Sequence, residues 1–178
     1  MSGHSKWSTI KRDKGIKDAK RGELFSKMSR LITVSAREGG GDPDTNAKLR
    51  LGIEKAKEAR MPKENIERAI EKGVGKGASE NVKEVIYEGF GPSGEAFLVR
   101  AFTDNNNRTV TEIRTIFNKS GGSLGGAGST AYIFGEDFEN PLFKVESADS
   151  AKEKLLNLYE TLIEHDDVSE VYTNFDLE

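Results

Sequence analysis

Residues 64–90 read ENIERAIEKGVGKGASENVKEVIYEGF, and the hydrophobic period changes inside this one stretch. At its start Ile66, Ala69 and Ile70 recur at the spacing of a helix face. At its end Glu84 to Phe90 alternates like a strand. Between them, Gly73 to Asn81 is glycine-rich and carries no apolar period, so a domain boundary is placed there. The chain is therefore divided into residues 1–76, a basic N-terminal arm with a three-helix domain, and residues 82–178, an α/β domain.

Upstream of the boundary, Met1 to Lys20 is polar and basic and reads as an arm with at most short helical turns. From about Gly22, the residues Leu24, Phe25, Met28, Leu31, Ile32 and Ser35 form one stripe of an amphipathic helix, which Gly39-Gly40-Gly41 ends. Asp42-Pro43-Asp44 reads as a turn with Asp44 as N-cap, and Leu49, Ile53 and Ala56 mark a second helix up to Arg60. Pro62 suits the first turn of a third helix, and Gly73 is placed to cap its C-terminus.

Downstream, Glu84 to Phe90 and Ala96 to Thr103 read as strands joined by a hairpin turn at Gly91-Pro92-Ser93-Gly94. Val110, Ile113, Ile116 and Phe117 mark a helix, and the glycine-rich run Gly121 to Gly128 reads as a loop allowing close backbone approach. Thr130 to Phe134 and Leu142 to Val145 read as further strands, Ala151 to Glu164 as a helix, and Val168 to Phe175 as a last strand. The order ββαββαβ predicts a ferredoxin-like-type sandwich with helices on one face of the sheet, so the fold class is α+β.

The net charge of -3 conceals a strong asymmetry. Residues 1–76 carry 19 Lys+Arg against 11 Asp+Glu, a balance of +8, whereas the remainder carries 8 against 19, a balance of -11. Fields act locally, because screening sets in within about 8–10 Å at physiological salt, so one end attracts polyanions and the other repels them. There is no cysteine, and His4 and His165 are far apart, which argues against a disulfide framework or a zinc site. No apolar run is long enough for a membrane span or a secretory signal, and Asp13, Asp18 and Glu23 are unlike a transit peptide. A soluble, cytoplasmic protein with no membrane partner and no cofactor is the expectation.

The candidate site is the basic arm and first helix: Lys6, Trp7, Lys11, Arg12, Lys14, Lys17, Lys20, Arg21, Lys27 and Arg30. Nine cations against three acids in thirty residues suit phosphate neutralisation with counterion release, and Trp7 offers one face on which a base can stack. The bland reading of the same run is a solvated helix face and a tail.

Two phosphate-loop look-alikes fail. Gly73-Val74-Gly75-Lys76-Gly77 lacks the Ser or Thr, the glycine spacing and the preceding strand of a P-loop. Gly121 to Gly128 follows a helix and precedes a strand, the reverse of a dinucleotide fold. Asn107 and Arg108, in the run DNNNRT at 104–109, leave open a small acylphosphatase-like enzyme that holds an anion at a helix N-terminus, although helix capping explains the asparagines equally well. His165 at a helix C-terminus suits the helix dipole, and no catalytic constellation assembles.

The chain carries, in order, GHSKW at 3–7, DAKRG at 18–22 with FSK at 25–27, GGGDP at 39–43, MPKENIERAI at 61–70, IYEG at 86–89, DNNNRT at 104–109, GGSLG at 121–125 and DDV at 166–168. Taken together, these motifs are similar to the YebC/PmpR family, which includes bacterial proteins and the mitochondrial translational activator of cytochrome oxidase subunit I. The resemblance covers nearly the whole chain. It implies a helical first domain, an α/β second domain, and a third α/β domain inserted within the second. That insertion is expected to be absent, because residues 135–140 pass directly toward the strand expected near Pro141.

Family members are described as DNA-binding transcriptional regulators and as ribosome-associated factors that relieve stalling at proline-rich stretches. An arm with a single aromatic suits irregular RNA, and no segment reads as a recognition helix for duplex DNA. The expectation is a non-enzymatic regulator with the ribosome and its rRNA as partner, duplex DNA as the alternative partner, and no small-molecule substrate.

Overall fold

The structure, a computed structural model, describes residues 18–75 and 82–177, with side chains from Arg21 onward. The described residues divide into two compact units, residues 18–84 and residues 85–177.

Helices α1 (Asp18–Gly39), α2 (Ala47–Glu58) and α3 (Lys63–Val74) build the first unit. Ahead of its apolar stripe, α1 already includes Ala19, Lys20 and Arg21, all strong helix formers. Leu24, Met28 and Ile32 recur every fourth residue and are buried, as are Leu49 and Ala56 of α2 and Ile66 and Ala69 of α3. Each such large apolar side chain contributes about 1.5–3 kcal/mol when fully buried. Gly40, at φ +89°, ends α1 by donating its N–H to the Ala36 carbonyl.

Two expectations about helix ends are corrected. The N-cap of α2 is Asn46, not Asp44: its Oδ1 accepts from Leu49 N at 3.1 Å. Asp42 instead accepts from Asp44 N in a local side-chain turn, which consumes the residues thought to start the helix. Gly73 is not a C-cap either, since α3 continues through Val74 and Gly75 follows it. Gly73 is buried where α3 crosses α1, and a β-carbon there would stand 2.8 Å from Ala36 Cβ.

In the second unit β1 (Lys83–Phe90) and β2 (Ala96–Thr103) form a hairpin, followed by α4 (Asn106–Lys119), β3 (Ser123–Leu124), α5 (Ala131–Phe134), α6 (Asp149–Glu164) and β4 (Val168–Thr173). The sheet order is β3-β1-β2-β4, with β3 antiparallel to β1 and β4 antiparallel to β2. One face packs Phe97, Val99 and Val171 against Ile113 and Phe117 of α4 and Leu155, Leu158 and Leu162 of α6. The fold class is α+β, as expected.

The strand list differs from the expected ββαββαβ. Residues 131–134 are a short helix rather than a strand: Ile133 and Phe134 are buried side by side while Tyr132 is 64% exposed, a helical rather than an alternating pattern. Its start is held by Glu88, which accepts from Gly128 N, Thr130 N and Thr130 Oγ1. Burial alone would raise the pKa of the Glu88 carboxyl, but these three donors outweigh it and hold the pKa below the usual value. Residues 142–145 form no strand. Leu142 N donates to Ile133 O and Val145 N to Asn174 O, but no ladder develops, and Leu142 and Phe143 are 68% and 59% exposed. Strand propensity is expressed only where a partner edge is offered.

The helices do not lie on one face alone. Ile133, Phe134 and Phe138 pack with Ala96, Leu98 and Tyr172 on the opposite side of the sheet. This two-sided cover explains why β2 reads as the nearly unbroken apolar run AFLVRAFT. Inside the expected glycine loop, β3 pairs with the edge of β1, and a β-carbon on Gly122 would meet the Phe90 carbonyl oxygen at 2.3 Å.

Candidate nucleic-acid interface

Helices α1 and α3 run in the same direction and touch at a constant offset. Thr33 Oγ1 donates to the Ala69 carbonyl at 3.0 Å, and one turn further Gly73 lies against Arg37 N. Beside this contact line each helix presents a polar stripe. On α1 it consists of Ser26, Ser29, Arg30, Thr33 and Arg37, spaced three and four residues apart; on α3 it is Asn65, Arg68 and Lys72. The stripes wall a groove of about 490 Å³ whose apolar lining is Phe25, Val34, Ala69 and Val82. Arg37 Nη2 donates to the Val82 carbonyl and so ties the segment leaving α3 to α1.

Among the described residues, four cations, Arg30, Arg37, Arg68 and Lys72, line this groove, and no carboxylate does. Glu64, Glu67 and Glu71 of α3 form a separate stripe outside the lining. Elsewhere on the unit, Lys48 lies between Glu84 at 2.9 Å and Glu38 at 3.6 Å, and Lys63 meets Glu67 at 3.5 Å. Like charges gathered in a concave site focus the field outward and favour an anionic ligand.

Of the residues expected to form the site, Lys6, Trp7, Lys11, Arg12, Lys14 and Lys17 lie outside the described residues, and Lys20 is described only as backbone of α1. Arg30 lines the groove; Arg21, exposed near the start of α1, and the half-buried Lys27 do not. Arg37, Arg68 and Lys72, which also line the groove, were not among the expected residues. Their signal was present as cations seven apart on α1 and four apart on α3, but nothing local says that the two stripes face one another.

The acylphosphatase-like alternative has no support in the geometry around Arg108. The guanidinium meets Asp167 at 2.7 Å, Asp104 at 3.7 Å and Glu112 at 4.0 Å, so an incoming anion would face three carboxylates. The N-terminus of α4 is capped by Asn105, whose side chain accepts from Arg108 N. Burial of Asp167 opposes its charge, yet donors Thr109 and Arg108 prevail and hold its pKa below the usual range.

Glu112, His165 and Asp167 place three ligand-type atoms within 4.8 Å of one another. Both imidazole nitrogens are engaged, Nε2 with Glu112 at 2.7 Å and Nδ1 as acceptor from Asp167 N at 3.1 Å. Arg108 adds a cation to this cluster through Asp167, at 2.7 Å.

Two family models match the chain, the "TACO1/YebC protein N-terminal domain" over residues 5–76 and the "TACO1/YebC second and third domain" over residues 82–137. A relative from Herpetosiphon aurantiacus is 48% identical over 178 residues, covering 98% of this chain and 71% of its own. The chain belongs to the TACO1/YebC family. The Herpetosiphon protein and its relatives are named "probable transcriptional regulatory protein", among them one from Treponema denticola, 58% identical over 75% of this chain. The TACO1/YebC chain described here spans about half of that protein's length, 54%. With a relative from Dictyoglomus thermophilum the alignment runs over 240 residues at 40% identity while covering 99% of this 178-residue chain. That longer family member therefore carries residues inside the aligned region that this chain lacks. The crystal structure of the conserved hypothetical protein Aq1575 from Aquifex aeolicus superimposes with a TM-score of 0.81 at 35% identity, covering 96% of each chain.

Proposed function

We propose that this chain is a non-enzymatic regulator of gene expression that binds nucleic acid through its three-helix module and basic arm. The observation that carries this reading is the groove between α1 and α3, with Arg30, Arg37, Arg68 and Lys72 on its walls and, among the described residues, no carboxylate in its lining. Its form as a regulator is supported by the names of relatives such as the Treponema denticola and Herpetosiphon aurantiacus proteins.

Within that reading the partner is the ribosome, where the protein relieves stalling at proline-rich stretches in the cytoplasm. A short concave site with hydroxyl and amide groups beside its cations suits the irregular backbone of folded RNA better than a regular duplex. Residues 82–178 act as an acidic second domain that repels extended polyanions. Residues 135–140 are the point at which longer relatives insert their additional domain; the family match ending at residue 137 supports this placement. Among the described residues no helix is long and apolar enough to cross a membrane.

The second reading, a duplex-binding transcriptional regulator, is favoured by the relatives' names. Co-sedimentation with ribosomes across a salt series, run beside a titration of promoter duplex, decides between the two. Retention by ribosomes that weakens steadily with salt is the expected result. Tight binding to a defined duplex with no ribosome retention would replace this reading by the second.

A further inference from the structure

The groove has more in it than a phosphate seat requires. An electrostatic cradle for a sugar–phosphate backbone needs only cations and donors, whereas this one combines cations with an aromatic ring, Phe25, and with Val34, Ala69 and Val82. Ser26, Ser29 and Asn65 add donors and acceptors beside the same space. Its volume of about 490 Å³ lies within the range of sites that enclose a small molecule, about 300–1,000 Å³. A duplex cannot enter such a site, because its bases are stacked and paired inside the helix; a base can reach an aromatic wall only when unpaired.

We infer that the α1/α3 groove is a one-nucleotide site, taking a single unpaired nucleotide of a single strand with its base against Phe25 and its flanking phosphates on Arg30, Arg68 and Lys72. This rests on the reading of the chain as a nucleic-acid-binding regulator and adds to it the form in which the nucleic acid is held. Arg37 is committed to the Val82 carbonyl and acts on the site by holding the Val82 wall in place. Thr33 is likewise a positioning residue, since its hydroxyl is spent on Ala69. Among the described residues no hydrogen bond or ion pair engages Arg68 or Lys72, and both side chains are exposed, so ligand binding breaks no existing contact of theirs.

Fluorescence anisotropy of the full chain with a labelled 12-nucleotide single strand, in ribo and deoxy forms, and with a blunt duplex of the same length tests the inference; the two sugars show which strand is preferred. The double variant Arg68→Gln/Lys72→Gln, at exposed positions, is expected to weaken single-strand binding about ten-fold or more. It should also flatten the salt dependence by about 1.4 in log–log slope, two phosphate contacts being lost. Phe25→Leu keeps an apolar side chain but removes the stacking face; it is expected to cost about five-fold or more on the single strand and nothing on the duplex. An amide NMR titration with adenosine monophosphate guards against misfolding of the variants: shifts are expected at Ser26, Ser29 and Arg68 in the unmodified chain. If the unmodified chain binds the single strand while both variants bind it equally well, the one-nucleotide site is overturned and the broader function stands. If Phe25→Leu weakens single strand and duplex alike, the inference is likewise overturned. If the unmodified chain binds neither strand nor ribosome, both fall.

Discussion

A β-carbon added to Gly73 would lie 2.4 Å from the carbonyl oxygen of Thr33, far inside van der Waals contact. The obstruction is backbone, so no side-chain rotation relieves it, and the helices must separate. Alanine gains up to about 1 kcal/mol over glycine in a helix interior, but overpacking of this kind costs about 1–3 kcal/mol. Gly73→Ala is therefore expected to destabilise the protein by about 1–2 kcal/mol in urea titrations. It should also lengthen the Thr33–Ala69 hydrogen bond, seen as faster amide exchange along α3. Equal or greater stability would show that the two helices are not held at this distance.

Asn46 joins three pieces of backbone. Its amide nitrogen donates to Ser35 O at 2.8 Å and Gly40 O at 2.9 Å while its oxygen caps α2. Asn46→Ala removes the cap and leaves two carbonyls without that donor, an expected loss of about 2–3 kcal/mol. Asn46→Asp is the sharper test. A carboxylate caps a helix as well as an amide does, yet here it would face two carbonyl oxygens with no proton to offer. Aspartate is expected to be at least as damaging as alanine at neutral pH, and to recover part of the loss below about pH 4, where it becomes a donor. A cap-only role would make aspartate harmless.

These two residues also show how far the fold is legible before any coordinates. The helical stripes and the β1–β2 hairpin are local: Leu24, Met28 and Ile32 lie within nine residues, and Gly91 to Gly94 turns the chain on itself. What escaped depends on partners far along the chain. Residues 131–134 are helical with Glu88, some forty residues earlier, holding Thr130. Residues 142–145 carry strand-like side chains but meet no free edge. The groove escaped for the same reason, since Arg30 and Lys72 join one site only because Thr33 meets Ala69. Cations are dense from Lys6 to Arg30, the expected site, whereas Arg68 and Lys72 sit in a sequence that alternates with glutamates and looks neutral.

Stability should fall in acid through two identified carboxylates. Both Asp167 and Glu88 have pKa values below the unfolded range, despite the opposing effect of burial, because hydrogen bonds to the charged form prevail. The unfolded chain then binds protons more readily, so stability rises with pH between the folded and unfolded values. The contribution is fully present above the unfolded value of about 4 and is lost as pH drops through each folded value. Thermal melts from pH 7 to pH 2.5 should show this decline. Thr109→Val, which removes one donor to Asp167 at 2.8 Å, should lower stability at pH 7 and make the acid decline shallower. An unchanged slope would mean that Asp167 is not a significant proton-linked group.

Arg60 is the one non-glycine residue with positive φ among those described, at +62°. It follows α2 and leads into Met61, whose N–H reaches back to Ala56 O at 2.9 Å, so the left-handed conformation is what closes the helix end. An L side chain in that region costs about 1–2 kcal/mol relative to its preferred conformations, a cost glycine does not bear. Glycine adds freedom to the unfolded chain, which offsets part of the gain. Arg60→Gly is thus expected to stabilise the protein by about 0.5–1 kcal/mol in chemical denaturation. Because Arg60 is not part of the α1/α3 groove, its loss should leave single-strand affinity within about two-fold, against the ten-fold expected for Arg68 and Lys72. A drop in affinity as large as that of the groove variant would mean that binding follows total positive charge rather than the geometry of one site.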